Sequence, residues 1–181
     1  MQITVKKLDE AGYNSALYGL SLNKNQLIEK MGGVAKRLCN KSGGHNKFLE
    51  HMIIWLEVKA PRYWWAEADT FRISTKQSES TVHTILKKEL TSENFEDYDI
   101  SESYLKELNG LIVLKDFQRI KRKLPEGFLQ TREWCMSYKT LQNIIVQRKN
   151  HILPHWRSFI DQVLEQIEHK ELVVGTLEEL K

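Results

Sequence analysis

Cysteine, proline and long apolar runs are all scarce in this chain, whose 181 residues include 2 Cys, 3 Pro and 9 Gly. Cys39 and Cys135 stand alone rather than in a C-x-x-C pair, which excludes a disulfide framework and a zinc knuckle and suits a reduced, cytoplasmic setting. No stretch approaches the ~18 consecutive apolar residues of a membrane span, and residues 1–8 lack the apolar centre of a signal peptide. A soluble intracellular protein is expected. Strong charge bias is missing too: 27 basic against 24 acidic residues leave a formal charge of +3, compatible with anionic small molecules but far from a dedicated nucleic-acid binder. Neither an internal repeat nor a low-complexity segment is present.

What is there is enough for one core. With 41% hydrophobic residues the chain supports a single domain over 1–175, followed by a mobile tail at 176–181. Alternation of apolar with polar or small residues reads as strands at 2–8 (Ile3, Val5, Leu8) and 13–22 (Ala16, Tyr18, Leu20, Leu22). Helical spacing of Leu27, Ile28, Met31, Val34, Ala35 and Leu38 gives a helix capped by Asn23 or Asn25, although Gly32 and Gly33 weaken it. A buried strand follows, with Met52, Ile53, Ile54, Trp55, Leu56 and Val58, and Pro61 ends it. Residues 63–72 suit a short helix, and 84–90 another. Asp99 and Glu102 form a capping box for a long helix through Leu105, Leu108, Ile112 and Phe117 to the basic run before Pro125. A strand at 129–136, a helix capped by Ser137 and running through Arg148, and a last helix from Pro154 to about 172 complete an α+β pattern with a mixed or antiparallel sheet.

The chemistry concentrates at 44–83. Its last part, 73–83, holds Ser74, Thr75, Gln77, Ser78, Ser80 and Thr81 with almost no apolar residue, flanked by Arg72 and containing Lys76. Hydroxyls, backbone N–H groups and a guanidinium all donate to anionic oxygens, so the segment is either a phosphate cradle or a solvated loop. The run 119–123 is likewise either a phosphate contact or a cation cluster complementing a helix C-terminus. His45, Glu50, His51 and His83 crowd the same stretch without the H-E-x-x-H order, so no metal is assigned. His51 by itself is as well read as a structural histidine, and Trp55, Trp64 and Trp65 as core or subunit contacts.

Gly44, His45, Glu50 and His51, followed by Arg72, Thr75 and Ser80 without a gap, resemble the flavin-dependent thymidylate synthase family, whose members carry G-H-x-S-x-x-E-H and then R-H-R-x-x-S-x-x-x-x-S-x-R-Y. The likeness resumes at 119–148, where Lys121-Arg122-Lys123-Leu124-Pro125, Thr131, Lys139 and Arg148 keep the family's spacing. Lys47 stands for the first Ser, Thr70 and Phe71 for the Arg and His that open the triplet, and Val82 and His83 for the closing Arg-Tyr.

The resemblance implies the family's α+β fold and a homotetramer with sites at subunit interfaces. It implies a uridine-type deoxynucleotide held by Glu67, Arg72, Ser78, Glu79, Ser80, Arg122 or Lys121, and Lys139, with Arg72 and Ser80 as the catalytic pair and His51 and Thr75 toward the flavin. The implied activity is FAD-dependent reductive methylation of dUMP, a methyltransferase reaction of nucleotide metabolism using methylenetetrahydrofolate and NADPH. Since the exchanged positions belong to the flavin triplet and the phosphate-binding Arg, a nucleotide-binding protein without turnover is the alternative.

Overall fold

The computed structural model of the protein describes residues 3–178, apart from the side chains of Val82, His83 and residues 175–178. Four antiparallel strands, β1 (Thr4–Ala11), β2 (Ile53–Pro61), β3 (Ser74–Ser78) and β4 (Leu129–Ser137), form a sheet in the order β1-β2-β4-β3. The sheet is one-sided. Ile54, Leu56, Val58 and Ala60 of β2 are fully buried on one face, while Glu57 on the other is exposed, as period-two alternation requires. Helices α3 (Arg62–Ala68), α7 (Tyr138–Arg148) and α8 (Pro154–Gln166) contribute to the core on the buried face. There Trp64, Trp65, Trp134, Trp156 and Phe159 pack ring against ring.

Several expectations change. Residues 13–22 are not a strand but lie in α1 (Tyr13–Lys24): Ala16, Leu17, Leu20 and Ser21 are buried at helical spacing, whereas Tyr18 and Leu22 are 58% and 64% exposed. The apparent alternation mixed two helix faces. Asn25 is not an N-cap but lies in the left-handed region just after α1, where it ends the helix; a 3-10 turn (Ile28–Lys30) precedes α2 (Met31–Leu38). The hydroxyl-rich segment at 73–83 contains β3 and a one-turn helix α4 (Thr81–Thr84); an edge strand can be this polar because Thr75, Gln77 and Ser78 remain exposed. The long helix before Pro125 is two, α5 (Glu102–Val113) and α6 (Phe117–Lys123), broken where Lys115 has φ 53° and Asp116 caps α6. Ser101, not Asp99, caps α5 by accepting from the Tyr104 amide. The last helix also divides, into α8 and α9 (Glu171–Glu178), because Ile167 is extended. Of the tail expected at 176–181, residues 176–178 continue α9 and 179–181 lie outside the described residues.

Burial also divides. Beyond the sheet, Ile85, Leu90, Phe95, Leu108, Leu111, Ile120, Leu124 and Phe128 close a second, smaller cluster between α5 and α6. Tyr63, Glu96 and His155 tie it to the main core: the Tyr63 hydroxyl donates to Glu96 Oε2 (2.5 Å) and His155 Nε2 lies 2.5 Å from Glu96 Oε1.

The two sheet edges differ. Along β1, Gln162 and Gln166 of α8 act as a surrogate strand: their Oε1 atoms accept from the Val5 and Lys7 amides at 2.9 and 2.8 Å, and their Nε2 atoms donate to the Ile3 and Val5 carbonyls. On β3, the Glu79 amide points inward to the Thr131 carbonyl (3.0 Å), so by antiparallel alternation the amides of Ser74, Lys76 and Ser78 point outward. They meet no partner among the described residues.

Candidate functional site

Sequence places Thr70, Phe71 and Arg72 just past α3, and local bonding decides where each points. Thr70 Oγ1 donates back to the Glu67 carbonyl (2.7 Å), finishing the helix. Phe71 turns inward, 5.8 Å edge-on to Trp156, with the Arg148 guanidinium 5.3 Å from its ring. Arg72 is exposed, with no described partner. Glu67 is engaged within the chain: its Oε2 accepts from Trp156 Nε1 (2.9 Å) and lies 3.4 Å from His151 Nε2 and 4.0 Å from Arg148 Nη1.

Two of the nearby cations are committed as well. Arg132 Nη1 is 3.1 Å from both oxygens of Asp69, with its guanidinium 4.5 Å from the Trp65 ring. Lys76 Nζ lies 3.8 Å from Asp69 and 4.6 Å from the Trp134 ring centre. Burial, with Arg132 adding to it, pushes the Lys76 amine below its ordinary value despite Asp69. Lys76, which the sequence placed within the cradle, is therefore withdrawn from it.

The remaining expected site residues fall into two groups at opposite ends of β3. At its beginning, Thr140 Oγ1 donates to the Ile73 carbonyl (2.9 Å), which holds Arg72 and Ile73 by the N-terminus of α7 and so near Lys139, whose Nζ is 3.5 Å from Gln142 Oε1. His51 is at the same end, since the next residue, Met52, accepts from the Tyr138 amide (2.8 Å). It is exposed and lines a groove of ≈ 620 Å³ with His45, Gly44, Lys47, Phe48 and Leu20. Gly12 makes this junction possible: with φ 99°, it sits where a Cβ would come within 2.0 Å of the His51 carbonyl oxygen.

At the far end, Glu79 Oε1 accepts from the Thr131 amide (3.3 Å), and the Ser80 carbonyl begins α4 by accepting from Thr84. Ser78 and Ser80 are exposed. Lys121 Nζ donates to Thr81 Oγ1 (2.6 Å), and burial together with the Arg62 charge pushes this amine below its ordinary value. Arg122 is exposed beside it in α6. Arg62 itself bonds the Leu124 carbonyl (2.7 Å) and Glu126 (3.3 Å). A second trough of ≈ 410 Å³ opens here, over Phe128, with Lys59, Lys87, Lys88 and Glu79 around it.

Four residue steps of about 3.3 Å put Ser74 and Ser78 ~13 Å apart. Arg72 and Ser80, one beyond each end, therefore do not converge within one chain, and Thr75 stands exposed between them opposite Cys135. Asp69, Arg132 and Trp156 carried no sequence signal for their part in fixing this region, since each depends on contacts across the sheet. Among the described residues no helix is long and apolar enough to cross a membrane.

The fold is that of the flavin-dependent thymidylate synthase ThyX. A structure of thymidylate synthase X from Helicobacter pylori with FAD and dUMP superposes with TM-score 0.80 at 18% identity, covering 97% of this chain and 99% of that one. A further H. pylori ThyX structure complexed with FAD and dUMP gives TM-score 0.77 at 16% identity, over 95% and 98% of the two chains. No family model and no curated protein matches in sequence.

Proposed function

We propose that this protein binds a uridine-type deoxynucleotide on a ThyX scaffold and sequesters or senses it, without holding flavin through the triplet position. The observation that carries this is Phe71, 9% exposed and packed on Trp156 where the resembling family has a flavin-binding His. Thr70, in place of an Arg, spends its hydroxyl on its own helix. Thr70 and Arg72 are exposed but only Arg72 offers a cation, while Phe71 is buried, so the residues present do not fit FAD there. Each charged hydrogen bond left unmade weakens an anion site by about 1.5–3 kcal/mol. The nucleotide side is better kept. Arg72 with half-buried Lys139 at one end of β3, and exposed Ser78, Ser80 and Arg122 with half-buried Lys121 at the other, each supply donors that a phosphate needs. Cys39, buried, and Cys135, half-buried, are not joined in a disulfide among the described residues, which supports a reducing compartment, the cytoplasm.

Flavin-dependent methylation of dUMP, with methylenetetrahydrofolate and NADPH, is the second reading. The groove at His51 favours it, because ≈ 620 Å³ lies within the range of cofactor pockets.

Purified protein is expected to be colourless and not to quench added FAD, while dUMP raises its melting temperature. At a hundredfold excess over Kd the nucleotide contributes about 2.7 kcal/mol. Arg72→Ala is expected to weaken dUMP by roughly tenfold or more, the loss of one charged hydrogen bond. Bound flavin together with tritium release from 5-labelled dUMP would establish the second reading, and no response to dUMP would overturn both.

A further inference from the structure

We propose that the trough over Phe128 is a separate binding site for a ring-bearing organic phosphate, its phosphate met by Lys59, Lys87 and Lys88 and its ring laid on the apolar floor. Of the nucleotide positions that the family resemblance implies, only Glu79 lines this trough, so the inference goes beyond the nucleotide reading and does not depend on it.

The first ground is charge left without a partner. Elsewhere in the chain cations are tied to carboxylates: Arg62 to Glu126, Arg132 to Asp69 and Lys123 to Glu107. The side chains of Lys59, Lys87 and Lys88 meet no carboxylate and no hydrogen-bond acceptor among the described residues, yet all three line one concavity. The carboxylate that follows the two neighbouring lysines is engaged elsewhere, since Glu89 Oε1 accepts from Asn109 Nδ2 (3.3 Å).

The second ground is a fixed frame. Asn109 Oδ1 accepts from the Leu90 amide (2.8 Å) and its Nδ2 donates to the Leu90 carbonyl (2.9 Å), so one side chain of α5 clamps the backbone just past Lys87 and Lys88. Lys121 braces the Thr81 wall from behind. Lys59 comes from another element, β2, opposite Thr131 of β4, whose amide is held by Glu79 Oε1 (3.3 Å). By alternation Lys59 shares the sheet face of Glu57, away from the main core. Cations from a strand and from a separate loop thus reach one rim, an arrangement that a single solvated helix face does not give.

The third ground is the floor. Phe128, Leu129, Ile85 and Leu90 are buried beneath the rim, and the Phe128 ring is set by Phe95, edge-on at 5.7 Å. At ≈ 410 Å³ the trough falls within the range of small-molecule pockets and shares their make-up, an apolar lining with a few polar groups. Ammonium groups over an apolar floor select a ligand with a flat apolar body and one dianionic end. Inorganic phosphate would use the rim alone and a neutral ring the floor alone. Glu79 repels a second anionic end and accepts from a hydroxyl.

The test titrates the full chain by calorimetry at low ionic strength with phenyl phosphate, inorganic phosphate and phenol. These probes carry no nucleobase, so they are independent of the nucleotide reading. Phenyl phosphate is expected to bind about tenfold more tightly than inorganic phosphate, the gain from burying part of a ring, and phenol not measurably. Lys87→Ala with Lys88→Ala, and separately Lys59→Ala, are each expected to weaken phenyl phosphate by roughly tenfold, the loss of a charged hydrogen bond, with the melting temperature of the unliganded protein unchanged. Lys106→Ala, on α5 outside the trough, and Arg72→Ala are expected to leave its affinity as it is. Equal affinity for phenyl phosphate and inorganic phosphate would overturn the role of the floor, and affinity unmoved by the Lys59, Lys87 and Lys88 variants would overturn the site. An equal loss in Lys106→Ala would mean diffuse attraction by surface charge and would overturn it too. If phenyl phosphate binds as described and dUMP has no effect, the nucleotide reading fails and the trough stands; if dUMP acts through Arg72 and phenyl phosphate does not bind, the trough fails and the nucleotide reading stands.

Discussion

Phe71 and Glu67 show how a single side chain changes meaning once its neighbours are known. The family resemblance gives each position to a ligand; in the structure each packs on Trp156. Phe71→Ala is expected to destabilise by about 3 kcal/mol, the lower end for truncating a buried Phe, measured by urea unfolding. Phe71→His would put a polar ring against Trp156 and Arg148, so restoring the family's residue is expected to lower stability without restoring flavin binding, read as FAD fluorescence. Glu67→Ala leaves the indole N–H of Trp156 without its acceptor and should cost about 1–3 kcal/mol. A nucleotide contact alone would leave the unliganded protein unaffected, so the melting temperature without dUMP distinguishes the two roles of Glu67. Tyr138 gives the pH sign. Burial and the Glu10 carboxylate raise its phenol well above the usual range, so its contribution is present below the unfolded value near 10 and is lost as pH rises beyond it. Burial alone would raise Glu10, but the Tyr138 hydroxyl, the Glu168 amide and Lys7 outweigh it and hold the carboxyl below its ordinary value. That contribution is present above the unfolded Glu value and is lost as pH falls through the folded one. Tyr138→Phe should therefore flatten both the alkaline and the acid limbs of a stability–pH curve.

At the scale of elements, legibility followed burial. β2 and β4 were readable because one or both faces are packed, and α7 because Ser137 caps it and Leu141, Ile144 and Ile145 recur inside it. α1 was not, since Ala16 and Leu20 satisfy a period of two as well as a step of four. β3 was not either, because an edge strand with exposed Thr75 and Gln77 has no apolar pattern to read. The site was legible to the same degree. Local chain order singled out Arg72 and Ser80 as candidates, but no local pattern could reveal that β3 holds them apart or that Trp156 claims Glu67. The Gln162 and Gln166 pair was invisible for a similar reason, being amides that matter through strand geometry alone. Changing either to Ala should cost about 1 kcal/mol, the net worth of a typical hydrogen bond, and speed hydrogen exchange at the Val5 and Lys7 amides specifically.

Among the described residues, two apolar clusters are joined in part by a small polar bridge. Glu96 reaches from the smaller cluster to Tyr63 and His155, whose side chain is 6% exposed. Removing one partner of a buried pair is strongly destabilising, so Glu96→Ala is expected to cost about 3 kcal/mol. It should also uncouple the clusters. Unfolding followed by tryptophan fluorescence, which reports the main core, would then separate from unfolding followed by far-ultraviolet dichroism, whereas the two coincide in the unaltered chain.

The glutamine cover along β1 has one more consequence, for growth. A sheet with two open edges can add chains without limit, and hydroxyl- and amide-rich strands are good templates for fibrils. Here the β1 edge is occupied by side chains of the same molecule, so the described sheet offers only its β3 edge to another chain. With one margin covered, the sheet cannot extend in both directions. Opening that margin with Gln162→Ala and Gln166→Ala together should leave both edges free and favour assemblies that elongate with concentration, visible as light scattering that does not reach a plateau.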